Sequence, residues 1–334
     1  MIFNIKTSFS VRFLDVFSDG IFPSSGVPQG SKLGPLLFLI YINDLPDCIK
    51  NSFLLIYADD CKISMEIKSP FDAFKLQADL GRMSEWGDTN HIPLNVSKCK
   101  VLRFCRSNKC FYFDYKLNDI SLEVVFSFND LGVTFSNDFT FNKHIESVIS
   151  RASRNLGWIK RTTKFFTDIG SIKVLFNSFV LSHLTFASSI WSPYVQDQID
   201  RIERVEHIFI RYLAYKDGNP MSFFNHNYYS NSVKFSIPTV MSLHNYYDCI
   251  FAYLCFNKII VCEPLNLKFT ERDFGINIRK SRHLKEVTSH KDYTHFSALN
   301  RILRYWNSLP DDLRQLKPLS TFKRIAREQI YKYL

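Results

Sequence analysis

The chain reads as an α+β protein: short strands mixed with helices over residues 1–134, an all-helical part over 135–215, and a further helical region over 216–334. Two patterns and one feature of composition predict this. In the first part apolar residues come in short runs or on alternate sides, as in buried and half-buried strands. From Phe139 onward they recur at i, i+3, i+4 and i+7, the face of an amphipathic helix. The 32 phenylalanines supply bulk for a packed interior and argue against disorder. A chain of 334 residues can bury one large core or two modest ones, and no low-complexity linker divides it.

Taken in order, Phe9 to Val16 and Ile21 to Ser24 read as strands around Ser18-Asp19-Gly20, a strong turn signal. Gly26-Val27-Pro28-Gln29-Gly30-Ser31-Lys32-Leu33-Gly34-Pro35 opens an apolar helix, with Ser31 as N-cap and Pro35 tolerated in the first turn. Leu33, Leu36, Leu37 and Ile40 make one face while Phe38, Leu39 and Ile42 cover the rest, so this helix is expected to be buried. Its backbone N–H groups would be free to meet a phosphate or a base edge. Phe53 to Ile56 and Lys62 to Ile67 read as a hairpin with Asp59 and Asp60 on its turn. Ser69 to Trp86 is a helix with Phe71, Phe74, Leu76, Leu80, Met83 and Trp86 on its apolar face. Val101 to Phe104 is a strand, and further short strands fill Phe111 to Thr134.

Three helices come next. The first buries Ile145, Val148, Ile149, Ala152, Leu156 and Ile159 and keeps Lys143, Arg151, Arg154, Lys160 and Arg161 outside. The second starts at the N-cap Asp168 and buries Ile172, Leu175, Phe176 and Phe179. The third buries Ile199, Ile202, Val205, Phe209 and Tyr212 and leaves Arg201, Arg204 and Arg211 outside. Lys216 to Pro238 reads as a long loop. Thr239 to Ile260 and Ser297 to Leu334 are helical, with Trp306 as a core anchor.

The chemistry starts from Asp59-Asp60. Adjacent acids repel and are comfortable only when solvated or neutralised by a cation. Mg²⁺ takes oxygen ligands, and a pair of such ions can clamp the attacking and leaving oxygens of a phosphoryl transfer. An Asp-Asp surface turn has the same composition, so the pair alone leaves both readings open. The net charge of +10 and pI near 9.1 suit a polyanionic partner. Of the eight cysteines none forms a Cys-x-x-Cys pair, and Cys99, Cys105 and Cys110 with His91 have poor zinc spacing, so reduced thiols of an intracellular protein, nuclear or cytoplasmic, are expected. The longest unbroken apolar run, Leu36 to Ile42, is too short to span a bilayer, and no membrane partner is expected.

These motifs, in this order, resemble the reverse transcriptases of non-LTR retrotransposons, most closely the jockey-like elements of arthropods. GVPQGSKLGPLLFLIYINDLP at Gly26 to Pro46 resembles motif B, with Lys32 where a small apolar residue is usual. YADD at Tyr57 to Asp60 resembles motif C and LNVSKCKVLRF at Leu94 to Phe104 motif D. Asp130-Leu131-Gly132-Val133 is similar to motif E, the primer-grip hairpin. Phe179 to Tyr194 and Ile202 to Leu213 resemble the thumb, and Trp306 to Pro310 with Ser320 to Arg324 the usual end of such reading frames. The resemblance implies a partial polymerase palm, an antiparallel sheet with packed helices, followed by an all-α thumb and a helical C-terminal region. It implies template-directed two-metal addition of deoxynucleoside triphosphates to a DNA primer on an RNA template. Asp59 and Asp60 would hold Mg²⁺ or Mn²⁺, and Lys98 would neutralise the leaving pyrophosphate. Gln29, Gly30 and Tyr57 would support the incoming nucleotide and template base. Gly132, Arg151, Arg154, Arg201 and Arg204 would contact nucleic acid. In this family the fingers and motif A, with the first metal-binding aspartate, precede motif B by several tens of residues. Here only Met1 to Ser25 stand before Gly26, and Asp15 has no motif A residues around it. The chain is therefore expected to be inactive as given, a piece of a polyprotein whose fingers and endonuclease lie elsewhere. A non-catalytic remnant that holds RNA or RNA–DNA hybrid is the alternative.

Overall fold

The computed structural model describes residues 8, 10–21, 30–105, 111–219, 228–260, 295–315 and 318–332. Helices and short strands alternate in the first of two compact units, Met1–Phe126; the second, Ser127–Leu334, is almost wholly helical. The division falls at 126/127, whereas the sequence pattern put it after residue 134, and it groups the last hairpin with the helices.

In the first unit β1 (Arg12–Phe13) and β2 (Val16–Phe17) pair around Leu14-Asp15, with Leu14 at φ 54°. The expected turn at Ser18-Asp19-Gly20 is not used. Ser18 closes the hairpin instead: its N–H donates to the Val11 carbonyl and its Oγ accepts from the Val11 N–H. Phe9 and residues 22–24 of the expected strands lie outside the described residues. Asp15 is exposed and faces Arg12 at 3.6 Å.

Helix α1 (Leu33–Ile42) begins where Ser31 Oγ accepts the Gly34 N–H at 3.0 Å. It is not buried all round, as its composition suggested. Phe38 and Ile42 meet the rest of the unit, whereas Leu33, Leu36, Leu39 and Ile40 remain 54–65 % exposed. The cause is one-sided cover: the β3–β4 hairpin (Phe53–Tyr57 and Asp60–Ser64) and α3 (Pro70–Thr89) pack on a single flank, around Ile42, Leu45 and Met83. Leu45 begins the short helix α2 (Leu45–Cys48). Ser69 and Asp72 form a reciprocal capping box at the start of α3. Ala73 and Met83 are buried on its inner face, with Leu76 and Leu80 partly so; Phe71 and Phe74 project outward, contrary to the expected face.

The expected antiparallel sheet is instead a set of two-stranded pairs. β5 (Lys100–Leu102) runs parallel to β8 (Glu123–Val125), and β6 (Lys116–Leu117) forms a hairpin with β7 (Ile120–Ser121). Among the described residues no strand joins these pairs into one sheet, because each is short and none extends the outer edge of β3 or β4. Cys105, just past β5, is disulfide-bonded, which corrects the expectation of eight reduced thiols. Cys48, Cys61, Cys99, Cys249 and Cys255 are free. Spacing along the chain reveals ligand motifs, and it is blind to which sulfurs the fold brings together.

Asp79, buried in the middle of α3, fixes the approach to β3. Its Oδ1 accepts the Lys50 N–H at 3.0 Å; its Oδ2 accepts the Asn51 and Ser52 N–H groups, each at 2.9 Å, and the Ser52 hydroxyl at 2.7 Å. Arg82 completes the set: its Nη2 pairs with Asp79, and its Nε donates to the Cys48 carbonyl at 2.9 Å. Burial alone would raise the Asp79 carboxyl, but the bonds from Ser52, Lys50, Asn51 and Arg82 outweigh it and hold the group well below the usual carboxylate range.

The second unit opens with the hairpin β9 (Ser127–Asp130) and β10 (Val133–Ser136). Its main core joins α4 (Asn142–Thr162), α5 (Ile169–Phe176) and α8 (Gln196–Lys216) through Ile145, Leu156, Ile172, Phe176 and Phe209. Asp168 is the N-cap of α5, accepting from Gly170 and Ser171. A π-helix, Asn177–Leu181, comes next and shifts the register: Val180 and Leu184 turn inward, and Phe179, expected in the core, is 45 % exposed. Two short helices, α6 (Ser182–Thr185) and α7 (Ser188–Trp191), complete the segment. By length and composition the run Ile169–Trp191 is apolar enough to cross a membrane, which a search for unbroken apolar runs overlooks. Here its inward side lies in the helical core, and extended Phe186 with left-handed Ala187 breaks it. Helix α9 (Tyr228–Phe235) stands within what read as a long loop, with Ser232 and Phe235 buried; residues 220–227 lie outside the described set.

A second core forms where α10 (Val240–Phe256), α11 (Ala298–Ser308) and α13 (Leu319–Lys332) meet around Trp306, Tyr253 and Phe322; α12 (Asp311–Arg314) adds Leu313. Arg301 ties the two cores together. Its Nε donates to Asp248 at 2.7 Å, its Nη1 to the Ser192 carbonyl at 3.1 Å and its Nη2 to the Ser189 carbonyl at 2.8 Å. Beside it Trp191 stands edge-on to both His144 and His244, at 5.0 and 5.1 Å. Burial lowers both imidazoles to about 4, aided at His144 by Arg151.

These buried groups govern stability in two ways. Asp79→Asn places an amide N–H₂ where donors converge, so urea unfolding of the first unit is expected to show a loss of about 3–5 kcal/mol. The histidines act in the second unit. Their folded pKa lies below the unfolded value, so the unfolded chain takes up protons first. Their contribution is whole above about pH 6.5 and falls as pH drops toward about 4, by on the order of 3 kcal/mol per imidazole. A lower urea midpoint for that unit at pH 5 than at pH 7.5 is the expected reading.

Candidate active site

The hairpin β3–β4 pairs Phe53 with Ser64, Leu54 with Ile63, Leu55 with Lys62, Ile56 with Cys61 and Tyr57 with Asp60. That register leaves a two-residue turn, Ala58-Asp59. Ala58 has φ 52°, the sign that a type II′ turn requires at its first central position, where glycine is the unstrained choice. Asp60 is thus the first residue of β4 and not part of the turn, as its place in the sequence had suggested. Alternation decides which way each side chain points. Leu54, Ile56, Cys61 and Ile63 pack inward with Phe38 and Ile42. Tyr57 and its partner Asp60 share the outer side, with Phe53 and Leu55. Both aspartates are exposed. Their field reaches Cys61, whose thiol is raised first by burial and then by Asp60 and Asp59.

Leu94, at the start of the segment that carries Lys98, packs in the same apolar cluster as Cys61 of β4. Lys98 is exposed, on a turn in which its N–H donates to the Asn95 carbonyl at 3.0 Å. On the other flank Gly30 turns the chain into α1 with φ 81°, and a Cβ there would meet nothing within 4 Å. The backbone conformation, and not crowding, calls for glycine. Gln29 lies outside the described residues.

Divalent metal needs oxygen donors from more than one direction. Asp59 and Asp60 offer two carboxylates on one hairpin, and among the described residues no group of three His, Cys, Asp or Glu side chains could hold an ion. The described residues therefore do not close a site for such an ion.

The remaining expected residues lie in the second unit. Leu131 and Gly132, at φ 47° and 87°, form the two-residue turn between β9 and β10. The Gly132 N–H donates to Asn129 Oδ1 at 3.1 Å, and a Cβ on Gly132 would stand 3.0 Å from the Phe186 ring. Arg151 and Arg154 are exposed on α4; Arg201 is half-buried and Arg204 exposed on α8. Arg204 lines a groove of about 660 Å³ with Asp200, Glu203, His207, Arg211 and Tyr228, so acids accompany it, unlike the α4 arginines. His207 stacks on Tyr228 at 4.2 Å. Sequence reasoning missed Asp79, which lies between Leu76 and Met83 on the apolar face of its helix. An acid in the middle of an otherwise apolar helical face was the available signal.

Residues 2–135 match the family model for reverse transcriptase (RNA-dependent DNA polymerase). The chain is similar to a probable RNA-directed DNA polymerase from transposon X-element of Drosophila melanogaster, 24 % identical over 220 residues, 62 % of this chain and 23 % of that protein. It is also similar to the RNA-directed DNA polymerase from mobile element jockey of the same species, 28 % identical over 145 residues, 40 % of this chain and 16 % of the relative. The jockey polymerase of Drosophila funebris is 25 % identical over 229 residues, 63 % of this chain and 24 % of the relative. The chain thus spans about a quarter or less of the length of these curated relatives. No solved structure matches it.

Gly132→Ala combines an unfavourable φ with a close aromatic ring, and is expected to cost the second unit about 1–3 kcal/mol in urea unfolding. Phe186→Ala in the same chain should return the part due to the ring and leave the part due to φ.

Proposed function

We propose that the chain carries a reverse transcriptase domain homologous to the RNA-directed DNA polymerases of jockey-like non-LTR retrotransposons, and that it is the palm-and-thumb portion of such a polymerase; the family match and the likeness to the jockey and X-element polymerases support this reading. Residues 1–134 are its partial palm, 135–215 its thumb and 216–334 a C-terminal helical region. The complete parent enzyme would add deoxynucleoside triphosphates to a DNA primer paired with an RNA template. The observation that carries this reading is the β3–β4 hairpin, with Asp59 on a strained two-residue turn and Asp60 beside it, packed by its inner side on the helix that the Gly30 turn opens.

Asp59 and Asp60 are the proposed metal-facing acids. Mg²⁺, or Mn²⁺ in its place, would supply charge neutralisation around the phosphates. Tyr57 flanks the pair on the outer side, Gln29 and Gly30 would support the nucleotide and template base, and Lys98 would offset charge on the departing pyrophosphate. Gly132 would lie at the primer, and Arg151, Arg154, Arg201 and Arg204 would hold phosphates. Because the described residues bring no third carboxylate to the pair, and losing a principal electrostatic contributor costs on the order of several kcal/mol of barrier, the chain by itself is proposed to hold hybrid without extending a primer.

The test is primer extension on an RNA template with Mg²⁺ or Mn²⁺, with Asp59→Ala plus Asp60→Ala as control, alongside binding of an RNA–DNA hybrid at rising salt. No incorporation, with affinity that falls steeply as salt rises, is the expected result. Incorporation that the double substitution abolishes would overturn the proposed inactivity. Absence of hybrid binding at low salt would overturn the polymerase reading of this chain.

A further inference from the structure

Along α4 the exposed positions Arg151, Arg154, Trp158 and Arg161 succeed one another at helical spacing and form one stripe, which Lys143 extends toward the N-terminus. Glu146, the acid of this helix, stands one turn from Lys143, at the N-terminal end of the stripe. None of Arg151, Arg154 and Arg161 has an ion-pair partner among the described residues, whereas the buried Arg301 is fully engaged. Arg151, Arg154 and Arg161 are therefore like charges with no ion pair among the described residues, which suits a polyanion.

Aromatic groups interrupt the cations. Trp158 is 43 % exposed and stands edge-on to Phe179, itself 45 % exposed, with ring centroids 5.5 Å apart. Asn155, one turn before Trp158, donates its Nδ2 to the Phe179 carbonyl at 2.7 Å and braces the pair. Phe179 reaches the surface because of the π-helix Asn177–Leu181, which turns Val180 into the core in its place. Such local widenings are costly and recur at functional positions. Here the widening brings a second aromatic ring onto a cationic stripe.

A duplex hides the faces of its bases, so exposed rings add nothing to a grip on duplex phosphates. Unpaired bases stack on aromatic rings and guanidinium planes while their phosphates meet the cations. We infer that Trp158 and Phe179, with Arg151, Arg154 and Arg161, form a stacking platform for single-stranded nucleic acid on α4. The inference rests on the reading that the helical part of this chain holds nucleic acid, and narrows the ligand at this surface to an unpaired strand.

The test uses the full chain and fluorescein-labelled (dT)₂₀ and (U)₂₀, with an RNA–DNA hybrid of equal length and phosphatidylserine vesicles as comparison ligands. Trp158→Ala is expected to weaken oligonucleotide binding by roughly tenfold and hybrid binding by less than about twofold, with Trp158→Phe restoring most of the loss. Binding of (U)₂₀ should quench tryptophan fluorescence in the parent chain, and much less in Trp158→Phe. Arg151→Ala plus Arg154→Ala should weaken both ligands and flatten the salt dependence. An unchanged urea midpoint for Trp158→Ala shows that the fold is intact; if the midpoint falls, Phe179→Leu, expected to weaken the single strand selectively, decides. Hybrid binding retained with no selective effect of either substitution overturns this inference and leaves the polymerase reading standing. Failure of hybrid and single strand alike sinks both. Capture of the vesicles in preference to the oligonucleotides overturns the single-strand assignment.

Discussion

Asp79 lies out of solvent in the middle of α3, and the N–H groups of Lys50, Asn51 and Ser52, the Ser52 hydroxyl, the Asn51 amide and the Arg82 guanidinium all converge on its carboxylate. A buried charge left alone costs several kcal/mol, so the connection into β3 adopts the one conformation that satisfies it. The next strand inherits that choice. Once residues 50–52 are held, Leu54 and Ile56 fall on the inner side against α1 and α3, and Phe53, Leu55 and Tyr57 on the outer. A slip of one residue would exchange the two sides. It would bury Tyr57 and turn Asp60 toward Phe38 and Ile42. The placement of the acid pair in solvent is therefore decided some distance away, on a helix that read from sequence as a plain amphipathic one.

The two units treat charge in opposite ways, inside and out. Among the described residues, the buried carboxylates Asp79 and Asp248 each meet a cation, Asp79 with Arg82 and backbone donors and Asp248 with Arg301. Glu206 is buried against the first turn of α10, where it accepts the Val240 N–H, and its carboxyl is raised well above the ordinary range by burial and by neighbouring Glu203. On the surface, charges of one sign stand together without such answers, two aspartates on the first unit's hairpin and three arginines along α4. Solvent tolerates both arrangements, but neither stabilises the fold. Surface ion pairs contribute little in any case, so their absence along α4 is no loss of stability. It leaves the full charge available to a ligand.

Legibility in the sequence tracked the range of the interactions. Where one element's own pattern suffices, the reading stands: the Asp59 hairpin, the Asp168 cap, and the Ile145–Ile159 stripe of α4 are all where local periodicity and capping put them. Where neighbours decide, it fails. Helix α1 is apolar on every side, and composition alone cannot say that one flank stays uncovered. Phe71 and Phe74 are apolar and read as part of the buried face of α3, yet the period that matters runs through Ala73 and Met83. The π-helix moved Phe179 outward by one position, which no regular helical period anticipates. At the N-terminus a good turn sequence, Ser18-Asp19-Gly20, yielded to Leu14-Asp15, since Ser18 was needed to bond Val11. The acid pair and the net charge of +10 point to a cation and a polyanion, while the role of each residue is what the resemblance implies. Among the described residues no group of three side chains closes a metal site.

Backbone strain ties the acid hairpin to the clamp behind it. Asn118 and Asp119 adopt positive φ in the β6–β7 turn, where their short polar side chains make that conformation inexpensive. Ala58 and Leu131 gain no such relief, and each costs on the order of 1 kcal/mol at the apex of a two-residue hairpin. A strained apex persists only when its surroundings leave no alternative. For Leu131 that is Gly132 against Phe186, with the Asn129 amide oxygen taking the turn's N–H. For Ala58 it is the full five-pair register of β3 with β4, anchored at the far end by Asp79 and along its inner side by Ile56 and Cys61. A relaxed turn would need another residue in the loop, and that would break the register that puts Tyr57 opposite Asp60. The strain at Ala58 is thus the local cost of holding two adjacent carboxylates at the end of a short, stiff hairpin, where their mutual repulsion cannot be eased by letting the loop swing away.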